Sequence, residues 1–254
     1  MDHASTALWI DNDAALDAFV QSAHPSGVIG MDTEFMRRDS YYARLALLQI
    51  HLDGRTALID PLAVAPNAAL RGRLEHPDTV CVMHSAGEDI ETLANWLPAG
   101  PARLFDTQIA AALAGFGSGL GYQKLVEAIT GVQLSKGETR SDWLQRPLTA
   151  AQKDYAALDV IHLDALHAAL DARLGELGRR EWLAEDCAKL CRRADRAAFD
   201  PQPQLALRAA AEWPAEQQAL LRRLLLWREQ TARRIDAPRP WLIDDKQALS
   251  LAEQ

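Results

Sequence analysis

Residues 28–35, Val-Ile-Gly-Met-Asp-Thr-Glu-Phe, are the stretch that decides the fold. Their mostly apolar and partly β-branched side chains predict a buried strand. Asp32 and Glu34 are two residues apart, so in a strand they point to the same face. Two adjacent carboxylates repel each other unless a cation lies between them, and oxygen ligands suit Mg²⁺ or Mn²⁺. The alternative is a solvated strand edge, which is the usual explanation of an isolated Asp-x-Glu.

The segments after this strand alternate between strand and helix patterns. Residues 44–52 and 55–60 predict a hairpin that turns at the Asp-Gly between them, so an antiparallel meander should start the sheet. Residues 80–83 and 104–106 predict two further strands, each followed by a helical pattern. The first part of the chain is therefore predicted to be α/β, with a mixed sheet flanked by helices.

The rest of the chain is predicted to be helical. A Thr-x-x-Gln capping box at Thr149 opens a helix that continues to about Leu174. An Asp-Pro-Gln-Pro linker at 200–203 then interrupts the pattern. This linker predicts two domains, residues 1–200 and 201–254.

Composition and charge limit the classes of protein to consider. The chain has 254 residues, of which 48% are apolar and 24% charged, so low-complexity and disordered classes are excluded. A net charge of −8 argues against binding nucleic acid through a generally basic surface. The charge is uneven, however, with −9 in residues 1–170 and +1 in residues 171–254.

The cysteines and the apolar segments predict where in the cell the protein is located. The three cysteines are too few for a disulfide framework. Neither a basic-then-apolar leader nor an apolar run of about 20 residues is evident. We therefore expect a cytoplasmic protein without a membrane partner.

A third acidic residue lies just after the strand at 80–83. Ser85 and Glu88 have capping-box spacing, which places Asp89 in the first turn of a helix. Open α/β sheets bind ligands at this carboxyl end of their strands. An acidic residue in a first turn also commonly does no more than interact with the helix dipole. His84, at the same strand end, is more often a hydrogen-bonded residue than a ligand.

Tyr155 and Asp159 lie four residues apart on the helix that begins at Thr149. Their side chains therefore share one helix face, where they could hold a metal ion and a water together. The alternative is a half-buried tyrosine beside an exposed aspartate.

The order of these motifs resembles that of the DEDDy 3′→5′ exonucleases. The motifs are Asp-Thr-Glu-Phe at 32–35, His-x₄-Asp at 84–89 and Tyr-x₃-Asp at 155–159. Residues 141–148, Ser-Asp-Trp-Leu-Gln-Arg-Pro-Leu, also resemble the Ser-Asp-Trp-x-x-Arg-Pro-Leu stretch of bacterial ribonuclease D. The resemblance covers about residues 8–200 and implies the ribonuclease H-like exonuclease fold.

The resemblance also implies a catalytic site. Its metal ligands would be Asp32, Glu34, Asp89 and Asp159, which would hold two divalent cations, Mg²⁺ or Mn²⁺. Four carboxylate charges match the charge of two such ions. Tyr155 would orient the attacking water, since an ordinary tyrosine pKa of about 10 makes it a poor base unaided.

The implied activity is hydrolysis of RNA from its 3′ end, with release of nucleoside 5′-monophosphates. The implied partners are tRNA precursors or other structured RNA, and no obligate protein partner is evident. Two alternatives remain open, namely a DNA-directed 3′→5′ exonuclease and an inactive RNA-binding module.

Several residues around this site are candidates for RNA contacts. Phe35 could stack on the terminal base, or it could be a core side chain on the opposite face of the strand. Arg146 could meet a backbone phosphate, or it could be a plain surface charge. The predicted nucleic-acid contacts are Thr33, Phe35, Gln49, His84, Lys136 and Arg140.

The chain after Pro203 resembles the start of a helicase and RNase D C-terminal (HRDC) domain. The resemblance rests on Trp227-Arg228-Glu229 and on the Pro-Arg-Pro at 238–240. Such domains are helical auxiliary nucleic-acid binders, and the roughly 50 residues here are fewer than a whole one. The predicted fold class is thus an α/β exonuclease fold followed by an all-α, incomplete HRDC-like domain.

Overall fold

A computed structural model describes residues 7–24, 26–134, 137, 141–193 and 200–253. These residues divide into two compact units. The first contains the described residues of Met1–Met36 and Leu45–Arg196, and the second contains those of Arg37–Arg44 and Ala197–Gln254. The predicted domain boundary at residue 200 stays a prediction, because residues 194–199 lie outside the described part of the chain.

The first unit is built on a mixed sheet, as predicted. Its strands are β1 (Leu8–Ile10), β2 (Gly27–Met36), β3 (Arg44–Leu52), β4 (Arg55–Ile59), β5 (Thr79–Met83) and β6 (Arg103–Asp106). Within the described residues, their order across the sheet is β1-β4-β3-β2-β5-β6. Strands β3 and β4 are antiparallel, whereas β1 with β4, β2 with β5, and β5 with β6 are parallel.

The predicted meander does not start the sheet, because β1 precedes it in the chain. This strand pairs with β4 from Leu8 opposite Ala57 to Ile10 opposite Ile59. Three residues are too few to show the alternation by which a strand is recognised in a sequence. Pairing with β4 therefore decides that the segment is a strand.

Helices cover both faces of this sheet. They are α1 (Asp13–Gln21), α2 (Ala68–Glu75), α3 (Gly87–Trp96), α4 (Thr107–Ala114), α5 (Tyr122–Thr130), α6 (Ala150–Ile161), α7 (Leu163–Glu176) and α8 (Arg180–Arg193). One core cluster joins apolar residues of α1, α2 and α3 to Cys81 and Met83 of β5. Another joins residues of α4, α5, α7 and α8 to Val82, which points to the opposite face.

The predicted single helix from Thr149 to about Leu174 is wrong in one respect. The chain leaves the helix at His162, so that α6 and α7 are separate elements. The buried apolar positions Val160, Leu163 and Leu166 continue across the break with helical spacing. Because the core needs the same spacing on both sides, the apolar pattern could not reveal this break.

The second unit is helical, as predicted. It contains α9 (Ala215–Ile235), α10 (Arg239–Leu242) and α11 (Asp245–Glu253), preceded by short 3₁₀ turns at Pro203–Ala206 and Arg208–Ala210. Its core includes Leu221, Leu225 and Ala248. None of the helices in the described residues is both long and apolar enough to span a membrane.

The segment Arg37–Arg44, which directly follows β2, belongs to this helical unit. The backbone N–H groups of Tyr41 and Tyr42 each donate to Asp236 Oδ1 at 3.0 Å. Asp236 has a φ of 49° at the carboxyl end of α9, a backbone conformation in which Asp is one of the better-tolerated residues. No sequence pattern indicated this association, which pairs residues almost 200 positions apart.

Candidate active site

Strand β2 presents Asp32 and Glu34 on the face of the sheet where α7 packs. Gly30, two residues before Asp32, identifies this face, because a Cβ added there would lie 3.1 Å from the Cβ of Leu163. Residues 30, 32 and 34 of a strand point the same way. Both carboxylates are partly buried, and their strand lies between β3 and β5 in the sheet.

Helix α3 brings Asp89 to the same region. Asp89 is 8% exposed, and its Oδ1 accepts a hydrogen bond of 2.5 Å from the hydroxyl of Thr33, the residue between Asp32 and Glu34. The hydrogen bond therefore joins the first turn of α3 directly to β2.

The capping box predicted from Ser85 and Glu88 is wrong. The N-cap of α3 is Ala86, which has no side-chain cap. The carboxylate of Asp106 instead accepts hydrogen bonds from the backbone N–H groups of Ser85 at 3.2 Å and Ala86 at 2.8 Å. Asp106 lies on the neighbouring strand β6, so a tertiary partner replaces the local one.

Asp106 also caps the next helix, α4. Its Oδ1 accepts from the backbone N–H groups of Gln108 and Ile109. One carboxylate, 1% exposed, thus fixes the starts of both α3 and α4. Sequence analysis missed this residue, although an Asp immediately before a helical pattern is a recognisable capping signal.

Helix α6 supplies the tyrosine and the fourth carboxylate. The predicted capping box is confirmed, since Thr149 and Gln152 satisfy each other's backbone N–H groups. The hydroxyl of Tyr155 donates a hydrogen bond to the carboxylate of Asp159. The two side chains therefore share a helix face and contact each other, as their spacing predicts.

The carboxylates of the four motif residues lie close enough to disfavour each other's ionisation. Burial, and then the charges of Asp89, Asp159 and Glu34, raises the pKa of Asp32 well above its usual range. Burial, and then the charges of Asp159 and Asp89, raises the pKa of Glu34 to about 9. The charges of Asp89 and Asp159 thus act on both strand carboxyls, so the structure brings the predicted quartet together.

The pKa values of Asp89 and Asp159, the two carboxyls on helices, are also raised. Burial raises the pKa of Asp89 to about 6, although the hydrogen bond from Thr33 opposes the rise. Burial likewise raises the pKa of Asp159 to about 7, against the hydrogen bond from Tyr155. The pKa of the Tyr155 hydroxyl is raised by burial and then by the neighbouring carboxylates, which excludes a phenolate at neutral pH.

Tyr122 is a member of the site that sequence analysis missed. Burial, and then the charges of Asp159 and Asp32, raises the pKa of its hydroxyl. The hydroxyl donates to the backbone carbonyl of Leu158 at 3.0 Å, and the ring meets His84 edge-on at 5.6 Å between centroids. A tyrosine at the start of a helix gave no signal by which it could be recognised.

The donor set fits hard divalent cations. All four donors are carboxylates, the ligands that Mg²⁺ and Mn²⁺ prefer, and a bound cation would offset the burial and the repulsion that raise the pKa values of Asp32 and Glu34. Among the described residues, no group of three or more His, Cys, Asp or Glu side chains is arranged to hold a metal ion as it stands.

The predicted RNA contacts have different surroundings. Thr33 and Gln49 are buried, and both amide atoms of Gln49 lack a hydrogen-bond partner. His84 is hydrogen-bonded to Thr107 at 2.9 Å, whereas Phe35 is partly exposed. Their role in RNA binding stays a prediction. Two further candidates, Lys136 and Arg140, lie outside the described residues.

Arg146 is neither a plain surface charge nor available to a phosphate. Its guanidinium forms a bidentate ion pair with Asp60 and donates to three backbone carbonyls. The phosphate contact and the surface charge predicted for Arg146 are therefore both wrong. The position of Arg146 in a loop did not indicate that its side chain turns back to the sheet.

Known proteins are similar to this chain in sequence and in fold. A family model described as 3′-5′ exonuclease matches residues 7–175. Ribonuclease D of Xanthomonas oryzae is 48% identical over 245 residues, covering 96% of this chain and 67% of the relative. The chain belongs to the ribonuclease D family of 3′-5′ exonucleases. The family match confirms the predicted resemblance.

Solved structures agree with this family assignment. Escherichia coli RNase D, described as an exoribonuclease involved in structured RNA processing, has a TM-score of 0.87 and 32% identity, covering 97% of this chain and 66% of that one. Brucella melitensis NrnC bound to pGG has a TM-score of 0.63 and 25% identity, covering 82% of this chain and 96% of that one. The chain spans about two thirds of the two ribonuclease D relatives. Exonucleases of this family use divalent metal ions.

Proposed function

We propose that the protein is a divalent-metal-dependent 3′→5′ exoribonuclease, which hydrolyses RNA from its 3′ end and releases nucleoside 5′-monophosphates. The observation that carries the proposal is a set of four buried or partly buried carboxyls, all with raised pKa values, beside a tyrosine hydroxyl. Family membership supplies the reaction class and favours RNA over DNA as the substrate.

When ionised, these carboxylates would place negative charge where a phosphodiester, itself an anion, would have to bind. That arrangement is unfavourable for substrate binding unless cations neutralise it. Asp32, Glu34, Asp89 and Asp159 would hold two divalent cations. When bound, these ions supply an acidified water and stabilise the charge on the departing 3′ oxygen.

The chain's own side chains orient the reacting groups. Tyr155 keeps its proton at neutral pH, so it acts as a hydrogen-bond donor and not as a base. Its hydroxyl donates to Asp159, and its oxygen would accept a hydrogen bond from the attacking water and hold that water in line with the scissile bond. Thr33 fixes the Asp89 carboxylate, and Phe35 would stack on the terminal base.

The substrates we propose are tRNA precursors or other structured RNA with a free 3′ end. The relative from Escherichia coli is described as acting in structured RNA processing, which supports this choice. We propose a cytoplasmic location, where such RNA is matured, and no obligate protein partner.

The helical unit supports a second part of the proposal, that residues 201–254 are an HRDC-like nucleic-acid binder. Its longest helix, α9, exposes Trp227, and Arg223 lies one turn before it. An exposed aromatic beside a cation is the combination that binds single-stranded nucleic acid by stacking and charge. RNA affinity should fall in Trp227→Ala while the rate of cleavage of short oligonucleotides is unchanged.

The direct test is incubation of a 5′-labelled single-stranded RNA with the protein and Mg²⁺ or Mn²⁺. We expect a ladder that shortens by one nucleotide at a time from the 3′ end. A matched DNA and a 3′-extended tRNA test the substrate class. A ladder from DNA alone would establish the DNA-directed alternative, and RNA binding without cleavage would establish the inactive module.

Two variants in one helix provide a matched comparison. Asp159→Ala removes a site carboxylate, whereas Asp154→Ala removes an exposed one five residues earlier in α6. We expect the first to abolish cleavage and the second to leave it unchanged. Full metal-dependent activity in Asp159→Ala would overturn the proposed site.

A further inference from the structure

We propose that residues 141–148 and Gly137 form a clamp that fixes the ring of Tyr155, and that Trp143, Arg146 and Gly137 are positioning residues for the reaction. The proposal rests on the proposed function, because it assigns these residues a role only through the Tyr155 hydroxyl. It begins from polar and aromatic contacts that the catalytic motifs do not explain.

The clamp is anchored to the sheet by Arg146. Its Nε and Nη2 donate to the two carboxylate oxygens of Asp60 at 2.7 Å each, and Nη2 also donates to the carbonyl of Ala46 on β3 at 2.6 Å. Asp60 immediately follows β4 and is 5% exposed. A bidentate, largely buried guanidinium pair fixes both distance and orientation.

The same guanidinium holds the clamp's own backbone. Nη1 donates to the carbonyls of Trp143 at 2.8 Å and Gln145 at 2.9 Å. The Nε2 of Gln152, in the first turn of α6, donates to the carbonyl of Asp142 at 3.3 Å. The segment is therefore tied both to the sheet and to the helix that carries Tyr155.

Trp143 connects this anchored segment to Tyr155 by packing against it. Its indole is 2% exposed, belongs to the apolar cluster that Tyr155 packs against, and lies with its ring centroid 6.1 Å from that of Tyr155. Packing of this kind restricts the tyrosine to few of its rotamers. The hydroxyl can then point steadily at Asp159.

Gly137, the other part of the clamp, lies against the same ring. A Cβ added to Gly137 would collide with the aromatic carbons of Tyr155, so a side chain there requires the ring or the Gly137 backbone to move. We therefore expect Gly137→Ala, a small substitution that removes no core volume, to displace the ring. Gly72→Ala is its matched control, because a Cβ at Gly72 meets nothing within 4 Å.

A double-mutant cycle separates positioning from a merely structural role. We expect Gly137→Ala and Trp143→Phe to lower kcat about tenfold with little change in KM. A displaced Tyr155 hydroxyl would slow the chemical step without weakening the binding of RNA. In a Tyr155→Phe background, the same substitutions should lower kcat no further. Gly72→Ala should match the unsubstituted protein in both backgrounds.

A spectroscopic measurement tests the clamp without any activity. The chain has four tyrosines, so ¹³C-tyrosine labelling gives few ring signals, and Tyr155→Phe identifies the one from Tyr155. We expect Gly137→Ala to shift that signal and Gly72→Ala to leave it in place. An unshifted signal, or losses of kcat that multiply with that of Tyr155→Phe, would overturn the clamp. Absence of cleavage in the unsubstituted protein would overturn the proposed function and leave the spectroscopic result standing.

Discussion

Substituting Asp159 by Asn should stabilise the metal-free protein at pH 8 while it abolishes catalysis. Asp159 is a partly buried carboxyl whose pKa in the folded protein is about 7, against an ordinary value of 3.8. Asn has nearly the same shape, keeps an oxygen that can accept the Tyr155 hydrogen bond, and carries no charge.

The magnitude follows from the linkage between protonation and folding. A carboxyl whose pKa is raised by folding holds its proton more tightly in the folded state, so stability falls as pH rises from about 4 to 7. The difference is about three pH units, each of which corresponds to about 1.36 kcal/mol. Above pH 7, the ionised Asp159 therefore costs about 4 kcal/mol, which the Asn variant avoids.

The assay is thermal unfolding in EDTA at pH 4 and pH 8, with Asp154→Asn as the exposed control in the same helix. At pH 8 the melting temperature of Asp159→Asn should be roughly 10 °C higher than that of the unsubstituted protein, whereas at pH 4 the two should nearly agree. With Mg²⁺ present at pH 8 the order should reverse, because the variant lacks one metal ligand. An Asn variant no more stable at pH 8, or equally stabilised at both pH values, would refute this reasoning.

Other perturbations have equally definite outcomes. Mg²⁺ should stabilise the metal-loaded protein by about 2.7 kcal/mol at one hundred times the dissociation constant, measured by calorimetry, and an equal effect in Asp32→Ala would contradict a carboxylate metal site. Asp106→Ala should lower the free energy of unfolding in urea by about 3 kcal/mol, because four backbone N–H groups lose their acceptor; a loss below 1 kcal/mol would show that water replaces the carboxylate. Gly30→Ala should cost about 1–3 kcal/mol in the same assay, since its methyl would lie 3.1 Å from the Cβ of Leu163, and Gly72→Ala should cost nothing.

Local interactions account for the features that sequence analysis predicted well. The hairpin of β3 and β4 turns at an Asp-Gly, a dipeptide with a strong turn preference. The Thr149 capping box is formed by residues three apart. The side chains of Asp32 and Glu34 share a face because strand geometry leaves no other choice. In each case, the residues that determine the structure are neighbours in the chain.

Features that depend on distant partners were missed or wrongly predicted. The start of α3 is satisfied by Asp106 of another strand, about 20 residues away, and not by the nearby Ser85. Arg146 reaches Asp60 across 86 positions. Tyr122 approaches the carboxylates from the start of α5. A single sequence does not show which of its many polar side chains form hydrogen bonds or ion pairs with each other in the fold.

The sequence by itself predicted most strands and helices in their order, and periodicity placed Asp32 with Glu34, and Tyr155 with Asp159, on shared faces. The resemblance to the exonuclease family implied that these residues and Asp89 form one site. Only the tertiary structure decided that those faces meet. Burial of the site and the mutual repulsion of its carboxylates then raise the pKa of Glu34 to about 9 and keep Tyr155 protonated. Ionisation depends on distance and on exclusion of water, which are properties of the packed chain and not of any segment.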